Sequence, residues 1–368
     1  MNNKTHEPLF HVVRQNTMPW YKVWGIRALS IIFALLVCAV VTMIVTGDNP
    51  IEVYKTILYG GFGTPRKTWI LLQSLAILLC VSLAVTPAFR MRFWNIGAEG
   101  QTLVGVLGAI GVDFYLGGKI PEALLLIIML LAALVCGAVW GLIPAIFKAL
   151  WNTNETLFTL MMNYVATYLV AFFLVVWVPS GSSSLAKMNT GKLPVIGGND
   201  YLLIILIVLT LTVGLYIYLN YSKHGYEINV VGESVNTARY VGIEVRKVII
   251  RTMILSGLLC GLTGYLIAAG LDQTVTTNSV GGQGFIAIMV SWLAKFNPLT
   301  MILTSGFIQI LSQGASQISQ DFNVSGALPD VITGIMLFCI IGCEFFINYK
   351  VNFRRHSSHE GSVKGAGK

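Results

Sequence analysis

Ten predominantly apolar stretches, separated by polar, Gly-rich or basic connections, set the plan of the chain. Apolar runs of about 20 residues are long enough to cross a bilayer as α-helices. They predict spans over about 25–46, 68–89, 101–116, 121–147, 156–178, 201–219, 248–270, 298–318 and 328–348. The remaining stretch, 284–295, has 12 residues. At ~1.5 Å per residue it reaches roughly 18 Å, short of the ~30 Å hydrocarbon core, and so predicts a half-helix or re-entrant segment. The expected architecture is all-α and polytopic, with about ten transmembrane or re-entrant helices.

The connections carry their own signals. Residues 1–24 form a basic segment ending in Trp20, Tyr21 and Trp24, aromatic residues suited to a membrane interface. A polar, Gly-rich connection along the interface is expected over 47–67 and a solvated loop over 179–200. Residues 220–247 form a loop inside the transmembrane domain 25–348, and 349–368 form a basic tail. Gly137 and Gly141, and the series Ser256, Gly257, Gly261 and Gly264, mark faces on which helices approach closely.

One interruption stands out. Arg90 to Gln101 places two arginines, then Asn95, Gly97, Glu99, Gly100 and Gln101, between apolar runs. An acid at bilayer depth costs roughly 2.5–3.5 kcal/mol on insertion scales, so Glu99 is a functional candidate. It either holds a broken helix together, satisfied by nearby backbone N–H groups or by an arginine, or contacts a passing solute. Asn163 likewise reads as an interhelical hydrogen-bond partner or as a ligand. Asp113 and Asp272, near predicted span ends, read as solvated or capping.

Composition confirms the class. With 55% hydrophobic and 11% charged residues and a mean hydropathy of +0.74, a soluble core cannot absorb the apolar side chains. All six cysteines lie in apolar runs, which implies small buried residues and no disulfide framework. The net charge of +8 follows topology: with both termini cytoplasmic and ten crossings, 18 of the 24 Lys and Arg fall on the inside. That distribution makes nucleic acid an unsuitable partner.

The chain contains no Gly-x-x-x-x-Gly-Lys-Ser/Thr phosphate cradle, so any ATP hydrolysis belongs to a partner. Within the 220–247 loop, Ser234 can cap a helix of about two turns that Gly242 stops. Val235, Ala238 and Val241 fall near one face of it; such an element is either a knob for another subunit or an ordinary solvated loop. Finally, Glu99-Gly100-Gln101 has a counterpart in Gly281-Gly282-Gln283, each leading into apolar chain. Transporters built from internal two-fold repeats place substrate between discontinuous helices at such matching positions.

The run Trp-Asn-Ile-Gly-Ala-Glu-Gly-Gln at 94–101 closely resembles the signature of bacterial ABC importer permeases of the nucleoside, simple sugar and branched-chain amino acid family, and most of all its nucleoside branch. The similarity continues through Asn154-Glu155-Thr156 with Met162-Asn163-Tyr164 and through Gly232-Glu233-Ser234 with Ala238 to Ile243. It extends to Leu255-Ser256-Gly257, to Gly261 to Gly264, and to Gly284 to Ile288 with Asn297-Pro298, covering about 70–340. Trp94 and the run Met289 to Ala294 depart from the pattern by bulkier residues.

This resemblance implies a non-catalytic, multi-pass subunit of the bacterial cytoplasmic membrane. It would pair with a second homologous permease, bind cytoplasmic ATPase subunits that use ATP and Mg, and receive substrate from an extracytoplasmic binding protein or lipoprotein. It makes the 232–243 segment the coupling element, with Glu233, Ser234, Ala238, Arg239, Tyr240 and Gly242 as its residues. The expected cargo is a nucleoside, with ribose-like sugars or branched-chain amino acids as alternatives. Asn95, Gln101, Asn163 and Gln283 can exchange hydrogen bonds with such a solute, and Trp94, Tyr164, Phe285 or Trp292 can stack on a base. With Glu99 these line the expected pathway. An ion-coupled carrier working alone is the alternative from another class.

Overall fold

The computed structural model describes residues 10–14, 19–47, 50–178, 181, 184–322 and 328–353. Their helices are α1 (Trp20–Thr46), α2 (Pro50–Phe62), α3 (Pro65–Arg90), α4 (Ala98–Leu116), α5 (Glu122–Trp151), α6 (Glu155–Trp177) and α7 (Leu202–Tyr221). They continue with α8 (Lys223–Glu233), α9 (Val235–Tyr240), α10 (Val245–Ile267), α11 (Gln283–Leu293), α12 (Pro298–Asp321) and α13 (Leu328–Asn348). A π-helical turn, Ala268–Asp272, extends α10. Among the described residues six helices are long and apolar enough to cross a membrane: α1, α3, α5, α6, α7 and α10 with its π-turn. The protein is thus polytopic and almost wholly helical.

The chain forms two compact units, Met1–Val53 with Ala327–Lys368, and Tyr54–Gly326. In the terminal unit α1 packs on α13, where Ser30 Oγ donates to the Cys339 carbonyl at 2.6 Å. The same unit departs from an all-α plan: β1 (Phe10–Arg14) pairs antiparallel with β2 (Tyr349–Phe353), Val12 opposite Val351. Both segments are rich in β-branched and aromatic residues, which favour strands over helix. The rest of the expected terminal segments, 1–9, 15–18 and 354–368, lies outside the described residues.

The central unit is built around α3 and α10. Their apolar windows are 67% buried, against 22–28% for α5, α6 and α7, which expose large apolar side chains such as Leu131, Phe172 and Val213. α10 packs on α3, α4 and α5, and α3 packs on α10, α11 and α12. Small residues permit this approach. A side chain at Gly137 would run into the Gly257 carbonyl, and one at Gly141 would lie 2.8 Å from the Met253 carbonyl. At Gly105 it would meet the Gly261 Cα at 2.9 Å. Interfaces between membrane helices are made by this kind of backbone contact.

Two connections and one carboxylate differ from the expectations. Residues 50–62 form a helix, opened by Pro50 at its first position, with Val53 and Ile57 buried four apart. The 184–200 loop is hydrogen-bonded to the far end of α10, Met188 N–H to the Gln273 carbonyl at 2.8 Å and Leu193 N–H to Ala269 at 3.1 Å. Residues 179–180 and 182–183 lie outside the description. Asp113 is buried, and its carboxylate accepts the Thr190 hydroxyl at 2.6 Å, so it anchors that loop instead of facing solvent.

Candidate functional site

The interruption after α3 is held by its own amides. Asn95 Oδ1 accepts the Gly97 N–H at 3.1 Å, a local turn that starts α4. Asn95 and Gln101 are both buried and exchange two amide hydrogen bonds, at 3.3 and 3.2 Å, while Asn95 also donates to Ser256 Oγ on α10 at 3.1 Å. From α6, Asn163 accepts the Gly100 N–H at 2.8 Å and donates to the Ile96 carbonyl at 2.9 Å. Thr159 Oγ1 accepts the Ile96 N–H at 3.2 Å. These side chains satisfy a non-helical backbone inside the protein, where an unpaired N–H would cost several kcal/mol in lipid.

Glu99 joins this break to its counterpart. One carboxylate oxygen accepts the Gly282 N–H at 2.8 Å and the other the Gly284 N–H at 2.7 Å. Those N–H groups open α11, so the carboxylate sits on the positive end of the short helix while lying in the first turn of its own, α4. The approach requires glycine: a Cβ on Gly284 would lie 2.5 Å from the Glu99 nitrogen. At the other end of α11, the Arg90 guanidinium donates to the Phe296 carbonyl at 3.1 and 2.9 Å and to Asn220 Oδ1 at 3.2 Å. The 90–101 stretch therefore grips α11 with an anion at its amino end and a cation just beyond its carboxyl end, each favourable for the helix dipole.

Around this frame lie the aromatic groups. Trp94 and Trp292 have ring centroids 5.4 Å apart, with Phe89 and Phe296 beside them. Trp94 is 42% and Trp292 50% exposed. Phe285 and Tyr164 are also exposed, each on its own helix and outside this cluster. The Gln283 side-chain oxygen Oε1 is buried without a hydrogen-bond partner among the described residues. The structure thus brings Asn95, Glu99, Gln101 and Asn163 into one network that reaches the backbone beside Gln283, and leaves Trp94, Tyr164 and Phe285 with free surface. Arg90, Gly284 and Thr159 are structural members that sequence reasoning did not assign. Only the placement of Arg90, ahead of a polar break, offered a signal.

The segment expected to couple, 232–243, spans two helices hinged at Ser234, which ends α8 and caps α9 by accepting the Thr237 N–H at 3.2 Å. Gly242 follows in the left-handed region at φ 82°. The apolar face expected over Val235, Ala238 and Val241 is divided: Ala238 is enclosed, while Val235, Val241 and above all Tyr240, 93% exposed, face outward with Glu233 and Arg239. α8 is fixed from behind by the Arg251–Glu227 ion pair at 2.8 Å. Gly232 packs so closely on the Arg90 carbonyl that any side chain would collide with it. A cleft of about 1130 Å³ opens beside α8 and α9, lined by Arg92, Lys148, Glu155, Arg239 and Arg246 among others.

Residues 68–341 match the family model described as the permease component of the branched-chain amino acid transport system. The chain belongs to this family. It is the permease subunit of an ABC importer, a non-catalytic multi-pass protein of the cytoplasmic membrane, in a class of machines that combine permeases with ATPase and substrate-binding subunits. Membership removes the ion-coupled carrier from consideration. A glucose ABC transporter permease of Haloferax volcanii is 28% identical over 356 residues, covering 92% of each chain. A guanosine ABC transporter permease of Bacillus subtilis is 27% identical, covering 85% of this chain and 91% of its own. A nucleoside ABC transporter permease of Lactococcus lactis subsp. cremoris is 26% identical, covering 94% of each.

Proposed function

We propose that this permease imports nucleosides. The exposed Trp94–Trp292 pair carries the reading: two indole rings from opposite halves of the chain, next to a network of neutral amides, offer stacking surface to a flat, uncharged base. The guanosine and nucleoside permeases among its relatives support the same cargo. The glucose permease relative favours a sugar, whose apolar face also stacks on indole. Competition separates the two. In cells expressing the full transporter, uptake of radiolabelled guanosine or uridine is expected to fall with excess unlabelled nucleoside and to be indifferent to glucose or ribose. Sugar uptake that resists nucleosides would overturn the assignment.

The transport path runs between two related halves. Besides the six long spans, α4, α11, α12 and α13 complete ten membrane segments, and pairing of β1 with β2 puts residues 10–14 and 349–353 on one side, as an even number of crossings between them requires. The basic residues assign that side to the cytoplasm. The mutual packing of α3 with α10, α11 and α12, and of α10 with α3, α4 and α5, supports a two-fold repeat with Glu99 at its junction. Trp94, Trp292, Tyr164, Gln283 and Phe285 face the cargo, whereas Asn95, Glu99, Gln101 and Asn163 position the broken helices.

ATPase closure enters through α9. Glu233, Arg239 and Tyr240 contact the ATPase, and Ser234 and Gly242 fix the element's ends. Ala238 seats it on the permease. From there a continuous chain of contacts runs through Gly232 to the Arg90 carbonyl, and from the Arg90 guanidinium to Phe296 below α11. A second homologous permease subunit and an extracytoplasmic binding protein complete the importer.

A further inference from the structure

A groove of about 630 Å³ runs between α1 and α13 in the terminal unit. Leu29 and Phe33 on α1, and Phe338 and Phe346 on α13, stand exposed along its sides. Its base offers no free hydroxyl, because Ser30 Oγ is spent on the Cys339 carbonyl at 2.6 Å. The helices run antiparallel, with Ser30 at Cys339 and Cys38 at Ile332, so the Phe346 end of the groove is the Lys22 end. Lys22 is exposed there, next to Tyr21, which is 59% exposed.

We propose that this groove seats one acyl chain of an anionic phospholipid whose headgroup meets Lys22. Length and charge both select that occupant. From Lys22 to Phe33 the helix rises roughly 16 Å, about half of a ~30 Å hydrocarbon core, which is the depth of one leaflet. An apolar trough of that depth with an ammonium at its interfacial end matches an amphiphile with a negative head. Under the orientation proposed above this is the cytoplasmic leaflet, whose anionic lipids attract basic residues.

The test counts lipids on the intact transporter by native mass spectrometry, after addition of phosphatidylglycerol or phosphatidylcholine. Wild type is expected to retain phosphatidylglycerol about fivefold over phosphatidylcholine. Lys22→Glu should bring that ratio to about one, and Gly342→Leu should lower occupancy by either lipid. A Cβ at Gly342, or at Gly25 on the opposing helix, meets nothing within 4 Å, so both glycines tolerate a filling side chain and Gly25→Leu serves as an independent second variant. Equal retention of the two lipids by wild type overturns the headgroup assignment. Undiminished lipid in both filling variants overturns the groove, as does a partner protein cross-linked along it.

Discussion

Replacing Glu99 by glutamine is expected to leave the permease inserted and assembled but to lower substrate uptake by at least about tenfold. Its two oxygens accept two backbone N–H groups, from Gly282 and Gly284, at 2.8 and 2.7 Å. Glutamine keeps one acceptor and turns an NH₂ donor toward the other N–H. Hydrogen bonds to a charged group contribute about 1.5–3 kcal/mol each. Removing the anion from the first turn of α4 and from the start of α11 costs about 0.3–1 kcal/mol more at each helix. A shift of about 1.4 kcal/mol is already tenfold in the population of the correctly joined state. Gly284→Ala tests the same junction with the charge intact, since its Cβ would lie 2.5 Å from the Glu99 nitrogen and 2.7 Å from its Cα, neither of which can yield as a flexible side chain does. Uptake into proteoliposomes, beside the size-exclusion profile of the purified complex, is the measurement. Normal transport by both variants would show that the union of the two halves is not needed for passage.

How much of this junction was legible in the sequence depends on distance along the chain. The shortness of α11 and the break before α4 are local, written in apolar run length and in Asn95, Gly97 and Gly100, and both appear as expected. The Gly-Gln pair at 100–101 and 282–283 hinted at related halves, but a contact between residues 183 apart has no local signature. The same limit hid Arg90, which read only as an arginine ahead of the polar break and whose guanidinium in fact holds the Phe296 carbonyl. Asp113 misled for a related reason: a carboxylate near a span end looks solvated until Thr190, from a loop 77 residues away, closes over it. The β1–β2 pair joins the two ends of the chain and so escapes any windowed pattern. In the 232–243 segment, two helical turns reveal an apolar face but not which side of it the permease itself occupies, and the enclosure of Ala238 decides that.

That decision makes the proposed coupling element testable by a pair of substitutions two residues apart. Tyr240→Ala is expected to leave the thermal stability of the permease within about 0.5 kcal/mol of wild type, because the side chain is 93% exposed and no hydrogen bond to it is seen among the described residues. Exposed tyrosines that become central to an interface contribute about 2 kcal/mol or more to binding, roughly a thirtyfold change in affinity. The ATPase should therefore be lost during purification of the Tyr240→Ala complex, and the ATPase that remains should no longer respond to substrate. Ala238→Glu acts through a different route: it forces a carboxylate into a site with 0% exposure, where an unpaired charge destabilises by several kcal/mol. Its permease should melt early and fail to accumulate whether or not ATPase is present. Co-purification, substrate-stimulated ATP hydrolysis and a melting curve on both variants distinguish docking from folding. A Tyr240→Ala transporter that keeps its ATPase and its coupling would place the contact elsewhere, with the arginine-lined cleft beside α8 as the next surface to alter.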